Sequence, residues 1–117
     1  MRAAQKILAI AETDNTFKRV ELRGATGWVG KCLHCRKKLL LEDDGTPINS
    51  VTIEHIVPKN HGGTDDLENL GLACGPCNNG KGVRIDVLRT DDPRYLNVIE
   101  KLKAVRAERW CGPATEG

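Results

Sequence analysis

Two Cys-x-x-Cys pairs, Cys32 with Cys35 and Cys74 with Cys77, constrain this chain more than any other feature. Two sulfurs on one tight turn can point at a single ion. A second such turn completes a tetrahedron with Zn–S distances near ~2.3 Å. Residues 36–73 separate the pairs, so the ion would tie a hairpin to a helix across an inserted motif. Four thiolates leave no position open for water, which makes such a zinc structural. The competing reading is two unconnected or redox-active pairs. Apolar residues make up only 39% of the chain, with four aromatics (Phe17, Trp28, Tyr95 and Trp110), so the core is thin and a metal would help hold it. Cys111, the fifth cysteine, is read as a bystander. His34, inside the first pair, is expected to be a solvated turn residue rather than a ligand.

The length of 117 residues predicts one domain. The N-terminal apolar run, Ile7 to Ala11, is too short for a secretory leader, which needs about 7–15 apolar residues. Nothing approaches the ~20 apolar residues of a membrane span. A cytoplasmic setting follows as an expectation, and thiols stay reduced there, which favours metal over disulfides. The net charge of +2 is too mild to name a partner by itself.

Ala3, Ala4, Ile7, Leu8 and Ala11 recur at helical spacing. Phe17 to Arg23 alternates like a strand, and Gly24, Gly27 and Gly30 predict a loop after it. That loop is not a phosphate-binding P-loop, because Ala25 and Cys32 stand where Gly and Ser/Thr are required. Lys38–Glu42 and Val51–Val57 read as strands, the second stopped by Pro58. Lys59–Asn69 reads as a loop, and Leu70–Ala73 as a strand pairing back. Pro76 suits the first turn of a short helix over Cys77–Gly80 or a little beyond. Val83, Ile85 and Val87 alternate in a segment that is strand or merely extended. Asp92-Pro93 starts a helix to about Trp110 with Leu96, Ile99, Leu102 and Val98 or Val105 as its stripe. A loose tail, Cys111–Gly117, ends the chain.

Between the cysteine pairs lies the chemistry. Glu54 and His55 end a β-branched run, and a strand ending there can present Glu54 to an ion and His55 to a water beside it. Asn78, on the following helix, can offer an oxygen from the other wall. A hard cation such as Mg²⁺ prefers such oxygens and keeps waters that phosphate oxygens can replace. Neutral imidazole beside a metal-held phosphate suits deprotonation of an attacking water.

The ordered string E-H-I-V-P-K, then G-G, then N-L-x-L-x-C-x-x-C-N-x-x-K-G resembles the HNH endonuclease family over about residues 32–82. The upstream Cys-x-x-Cys matches its zinc-bearing members. The resemblance implies an α+β fold, a ββα-metal core with a four-cysteine zinc site and flanking N- and C-terminal helices. It implies DNA phosphodiester hydrolysis, by nicking or double-strand cutting, with structural Zn²⁺ on Cys32, Cys35, Cys74 and Cys77. The catalytic cation would be Mg²⁺ or another divalent ion. His55 would be the general base, Asn69 would hold the loop and orient it, and Asn78 would bind the metal with Glu54. Glu54 stands where aspartate is commoner, and Asn78 where histidine often is. His61, Lys59 and Lys81 are candidate substrate contacts. A chain without a reader domain implies low specificity or a specificity-supplying protein partner. The alternative function is a zinc-ribbon DNA-binding module without catalysis.

Overall fold

A computed structural model describes residues 2–112. Helix α1 spans Ala3–Glu12, and strands β1 (Lys18–Leu22), β2 (Ala25–Lys31) and β3 (Lys38–Glu42) form an antiparallel sheet in that order. Strands β4 (Thr52–His55) and β5 (Leu70–Ala73) pair separately, His55 opposite Leu70 and Glu54 opposite Gly71. Two single turns of 3₁₀-helix, Lys59–His61 and Leu67–Asn69, lie in the β4–β5 connection. Helices α2 (Gly75–Arg84) and α3 (Pro93–Arg109) complete the α+β chain. Strands β4 and β5 with α2 make the expected ββα unit.

One expectation fails at Gly27 and Gly30, which lie in strand β2 rather than in a loop. Arg23 and Gly24, both at positive φ, make the two-residue turn that sends the chain straight back. Gly30 is there for space, because a Cβ would sit 2.3 Å from the Phe17 ring. The glycines thus serve packing in a half-buried sheet. Helix α2 also runs longer than expected at both ends, with Pro76 in its first turn. Val83 closes that helix, and Ile85 and Val87 follow in a turn, so the alternating segment is no strand.

The stripe of α3 is rotated from expectation. Asp92 caps it as predicted, accepting from Arg94 N at 2.8 Å. The buried positions are Tyr95, Ile99, Leu102, Arg106 and Arg109, while Leu96 is 45% exposed. Tyr95, Ile99 and Leu102 pack with Leu33 and Ile56. The rotation lets two arginines reach inward, which an apolar-only reading of the stripe misses. Arg106 donates to the carbonyl oxygens of Leu70 (2.8 Å) and Thr13 (3.0 Å) and to Thr13 Oγ1 (2.6 Å). Arg109 donates to Lys31 O at 2.8 Å. The C-terminal helix therefore locks α1 to the first residue of β5. Arg106→Leu is expected to cost at least about 3 kcal/mol in urea unfolding, since several buried acceptors lose their donor at once. Cys111, expected to start a loose tail, is instead tied down, its N–H donating to Thr13 O at 3.1 Å; the rest of that expectation, residues 113–117, lies outside the described residues.

Candidate functional site

The four cysteines converge. Cys32 and Cys35 follow β2 in a turn closed by Cys32 N to Lys37 O at 2.8 Å, and Cys74 and Cys77 begin α2. Their sulfurs all lie within 4.8 Å of one another, with Cys74 Sγ 3.9 Å from both Cys32 Sγ and Cys35 Sγ. Four thiolates around an ion at ~2.3 Å stand ~3.8 Å apart, so the cluster has the size of a closed tetrahedral site and can hold a metal such as zinc. Every cysteine is free of disulfide. Backbone N–H groups of His34 (3.4 Å) and Cys74 (3.3 Å) point at Cys32 Sγ, which suits a thiolate. Without an ion the sulfurs differ. The Lys37 backbone N–H draws Cys35 down to about 7, while burial pushes Cys77 up to about 12. Leu33, within this turn, donates its N–H to Leu72 O at 2.9 Å, which seats the cysteine turn on β5.

His55, the last residue of β4, is 26% exposed. Its Nε2 lies 2.7 Å from Asp65 Oδ1. Asn69 pins the intervening loop with three hydrogen bonds. Its Oδ1 accepts from Val57 N (2.9 Å), and its Nδ2 donates to Val57 O (3.1 Å) and Thr64 O (2.8 Å). This is the loop-holding geometry expected of Asn69. Gly62 adopts the left-handed φ of 89°, and Gly63 leaves no room for a side chain, because a Cβ there would lie 1.7 Å from Val57 O. Gly63→Ala is therefore expected to lower stability by about 2 kcal/mol in thermal unfolding, since only backbone is available to give way.

Glu54 points the other way, toward α2, as alternation along a strand requires. It is 1% exposed. His34 Nε2 bonds its Oε1, and Lys81 Nζ lies 3.6 Å from its Oε2. His34 is thus neither solvated nor a fifth ligand of the sulfur site, and its bond to Glu54 raises its pKa above the usual imidazole value. Lys81, weighed as a phosphate contact, is 3% exposed and committed inward. It donates to both carboxylate oxygens of Asp86 (2.8 and 2.9 Å) and to His55 O (3.2 Å). A lysine in Cys-x-x-Cys-Asn-x-x-Lys falls one turn beyond Asn78 and faces the same strand, which leaves no path to solvent. Asn78 Nδ2 donates to Thr52 Oγ1 (3.0 Å) and Ile53 O (3.1 Å), tying α2 to β4. The His34–Glu54–Lys81–Asp86 chain joins three segments, the cysteine turn, β4 and the end of α2, and only its Lys81–Asp86 link is local in sequence.

The remaining candidates divide. Lys59 is exposed and pairs with Asp65 Oδ2 at 3.1 Å. His61 packs edge-on against Tyr95 with ring centroids 4.8 Å apart, and its Nδ1 is buried without a partner. Asp65, absent from the sequence reading, joins His55, Lys59 and, at 3.7 Å, Lys6 of α1. No helix among the described residues is long and apolar enough to cross a membrane.

No curated protein and no solved structure matches the chain. Residues 32–84, from the first zinc-type cysteine to the end of α2, match the family model described as HNH endonuclease. That stretch, which holds the ββα unit, the four-cysteine cluster and His55, is the part of the chain that is similar to the HNH endonuclease family.

Proposed function

We propose that this chain is a metal-dependent endonuclease that hydrolyses DNA phosphodiester bonds, with His55 as general base and zinc on the four cysteines as a structural ion. The observation that carries the reading is the partly exposed His55, held at a strand end by a loop that Asn69 pins at three points. A base of this kind needs a fixed ring and an open approach, and it has both. His55 takes the proton of an attacking water, and Asn69 keeps the loop beside it from drifting.

The donor set also fits a hard divalent cation. Glu54 Oε2 is buried with no hydrogen-bond partner, only the Lys81 ammonium standing near it at 3.6 Å. Asn78 spends its Nδ2 on β4, which turns its Oδ1 into the free end of a fixed amide. Glu54 and Asn78 would hold a cation such as Mg²⁺. Bound there, it would supply charge neutralisation on a phosphate oxygen. Lys81 sets a positive charge near Glu54 and Asp86 offsets it, so a cation there would compete with protonation of His34, which the bond to Glu54 favours.

The burial of Glu54 favours one second reading, a zinc-ribbon module that binds DNA without cutting it. A supercoiled-plasmid assay with Mg²⁺, and with chelator, separates the two. Conversion to nicked or linear product that needs the cation supports the enzyme. Retention of DNA in a filter assay with no conversion at any cation concentration supports the binder. In either case, if phosphates dominate binding, affinity should fall linearly on log–log axes with salt, by a slope of about −0.9 per phosphate contacted. Unrelated duplexes of equal length should then bind alike; strong preference for one short sequence would mean base readout instead.

A further inference from the structure

We infer that Asp65 is the positioning residue of His55: it fixes the imidazole in the Nε2–H tautomer and leaves Nδ1 as the nitrogen that takes the proton. The catalytic half of this inference rests on the nuclease reading; the tautomer half does not.

The geometry comes first. Asp65 Oδ1 stands 2.7 Å from His55 Nε2. A hydrogen bond there needs one proton, and either group could hold it. Asp65 is the acceptor, because its other oxygen faces the Lys59 ammonium at 3.1 Å and Lys6 lies 3.7 Å from Oδ1. The bond to His55, with Lys59 beside it, holds the Asp65 carboxyl down at about 2, well into the ionised form at any working pH. A carboxylate accepts only, so Nε2 carries the hydrogen. Neutral imidazole has one N–H, and its other nitrogen is then the lone-pair base. His55 Nδ1 has no hydrogen-bond partner among the described residues, and it is the atom left for water.

The loop makes this arrangement a built feature rather than a passing surface contact. Asn69 grips Thr64 O at 2.8 Å, one peptide before Asp65. Thr64 and Asp66 close a small turn around Asp65, with Asp66 N donating to Thr64 Oγ1 at 3.3 Å. Asn69 therefore orients His55 through Asp65 as well as through Val57. Lys6 also links α1, outside the HNH-matched residues, to this carboxylate. When His55 accepts a proton, the same carboxylate stabilises the imidazolium. The competing view is a surface ion-pair cluster of Asp65 with two lysines, which contributes little beyond local stability.

The test uses the full chain with zinc bound. Long-range ¹H–¹⁵N correlation of the histidine rings, recorded about two units above the usual imidazole pKa, reports the tautomer, with His34→Gln and His61→Gln assigning the signals. Wild type should show His55 as the Nε2–H form. Asp65→Asn offers an amide that can donate to Nε2, and should move His55 toward Nδ1–H; Asp65→Ala should leave the mixture of a free ring. In parallel, kcat for plasmid cleavage should fall about 10–100-fold in both variants while KM stays within about twofold. That is less than the ~10⁴-fold of a fully buried histidine–aspartate pair, because Asp65 is 46% exposed. A wild-type Nδ1–H form overturns the inference without any variant. A fall in kcat with no change of tautomer, or a change of tautomer with no fall in kcat, overturns it too. If the wild type cuts nothing, the nuclease reading fails, and the ring signals still decide what Asp65 does to His55.

Discussion

His55→Ala is expected to lower plasmid cleavage by about 10²–10⁴-fold, the usual worth of a positioned acid–base group, while folding, cysteine-bound metal and DNA affinity stay close to wild type. The structure gives the reason for that separation. The side chain touches Asp65 at the surface and contributes nothing to either core cluster. Its backbone carbonyl, which Lys81 uses, survives the change. Asn78→Ala should behave differently. It removes an oxygen from the proposed cation site, so raising Mg²⁺ or Mn²⁺ should restore part of the activity. It also cuts two hydrogen bonds from α2 to β4, so a modest loss of stability should accompany it, on the order of 1–2 kcal/mol. Asn78→His should cut DNA, with a preference moved from Mg²⁺ toward softer transition metals. If higher metal rescued His55→Ala and left Asn78→Ala dead, the two roles would be reversed. Cleavage by His55→Ala at the wild-type rate would place the site elsewhere.

Local rules were enough for most of the elements. A cap at Asp92 and a proline, Pro76, in the first turn of a helix are decisions made within a few residues, and both are met in the structure. The strand expected to run to Val57, by contrast, ends at His55, short of Pro58. The glycines of β2 misled because sequence shows freedom of the backbone and hides the Phe17 ring that demands it. Leu96 misled for a related reason. Its neighbour Tyr95 has the larger apolar surface, and a partner in His61, and it turned the stripe of α3 toward itself. Within the site, the ordered motif located His55, Asn69 and the cysteines. What the motif could not supply was pairing. Glu54 with His34, Glu54 with Lys81, and His55 with Asp65 each join groups whose proximity depends on how strand, helix and loop close in space. Two of those pairs change the chemistry. Lys81 leaves the list of phosphate contacts, and Asp65 enters as the neighbour of His55.

Removing one thiolate should have the largest structural effect of any change in the chain. Purified protein is expected to carry about one zinc per chain, and Cys74→Ser to lose it and most of the folded state. Cys74 is the hinge of the arrangement: it caps α2, its sulfur lies 3.9 Å from both upstream cysteine sulfurs, and it is buried in the main core cluster with Cys32, Leu39, Leu70 and Leu72. An ion held there would join the β2–β3 hairpin to α2. Apart from the polar ties of Asn78 and Lys81 to β4, helix α2 has little else to hold it. Gly75, Gly80 and Gly82 give it poor intrinsic propensity, and Lys81 is its one buried residue. A closed zinc site contributes its binding energy to folding outright. Its loss should cost on the order of 5 kcal/mol or more, which rivals the whole stability of a typical domain. Circular dichroism and metal analysis on the same sample would read both consequences. Cys111→Ser serves as the control. Its sulfur lies outside the cluster and bonds only Glu12 O at 3.3 Å, so zinc content should not change, and stability should move by no more than about 0.5 kcal/mol. A folded wild-type preparation without zinc would refute the structural ion, and the four sulfurs would then need another explanation for meeting at one point.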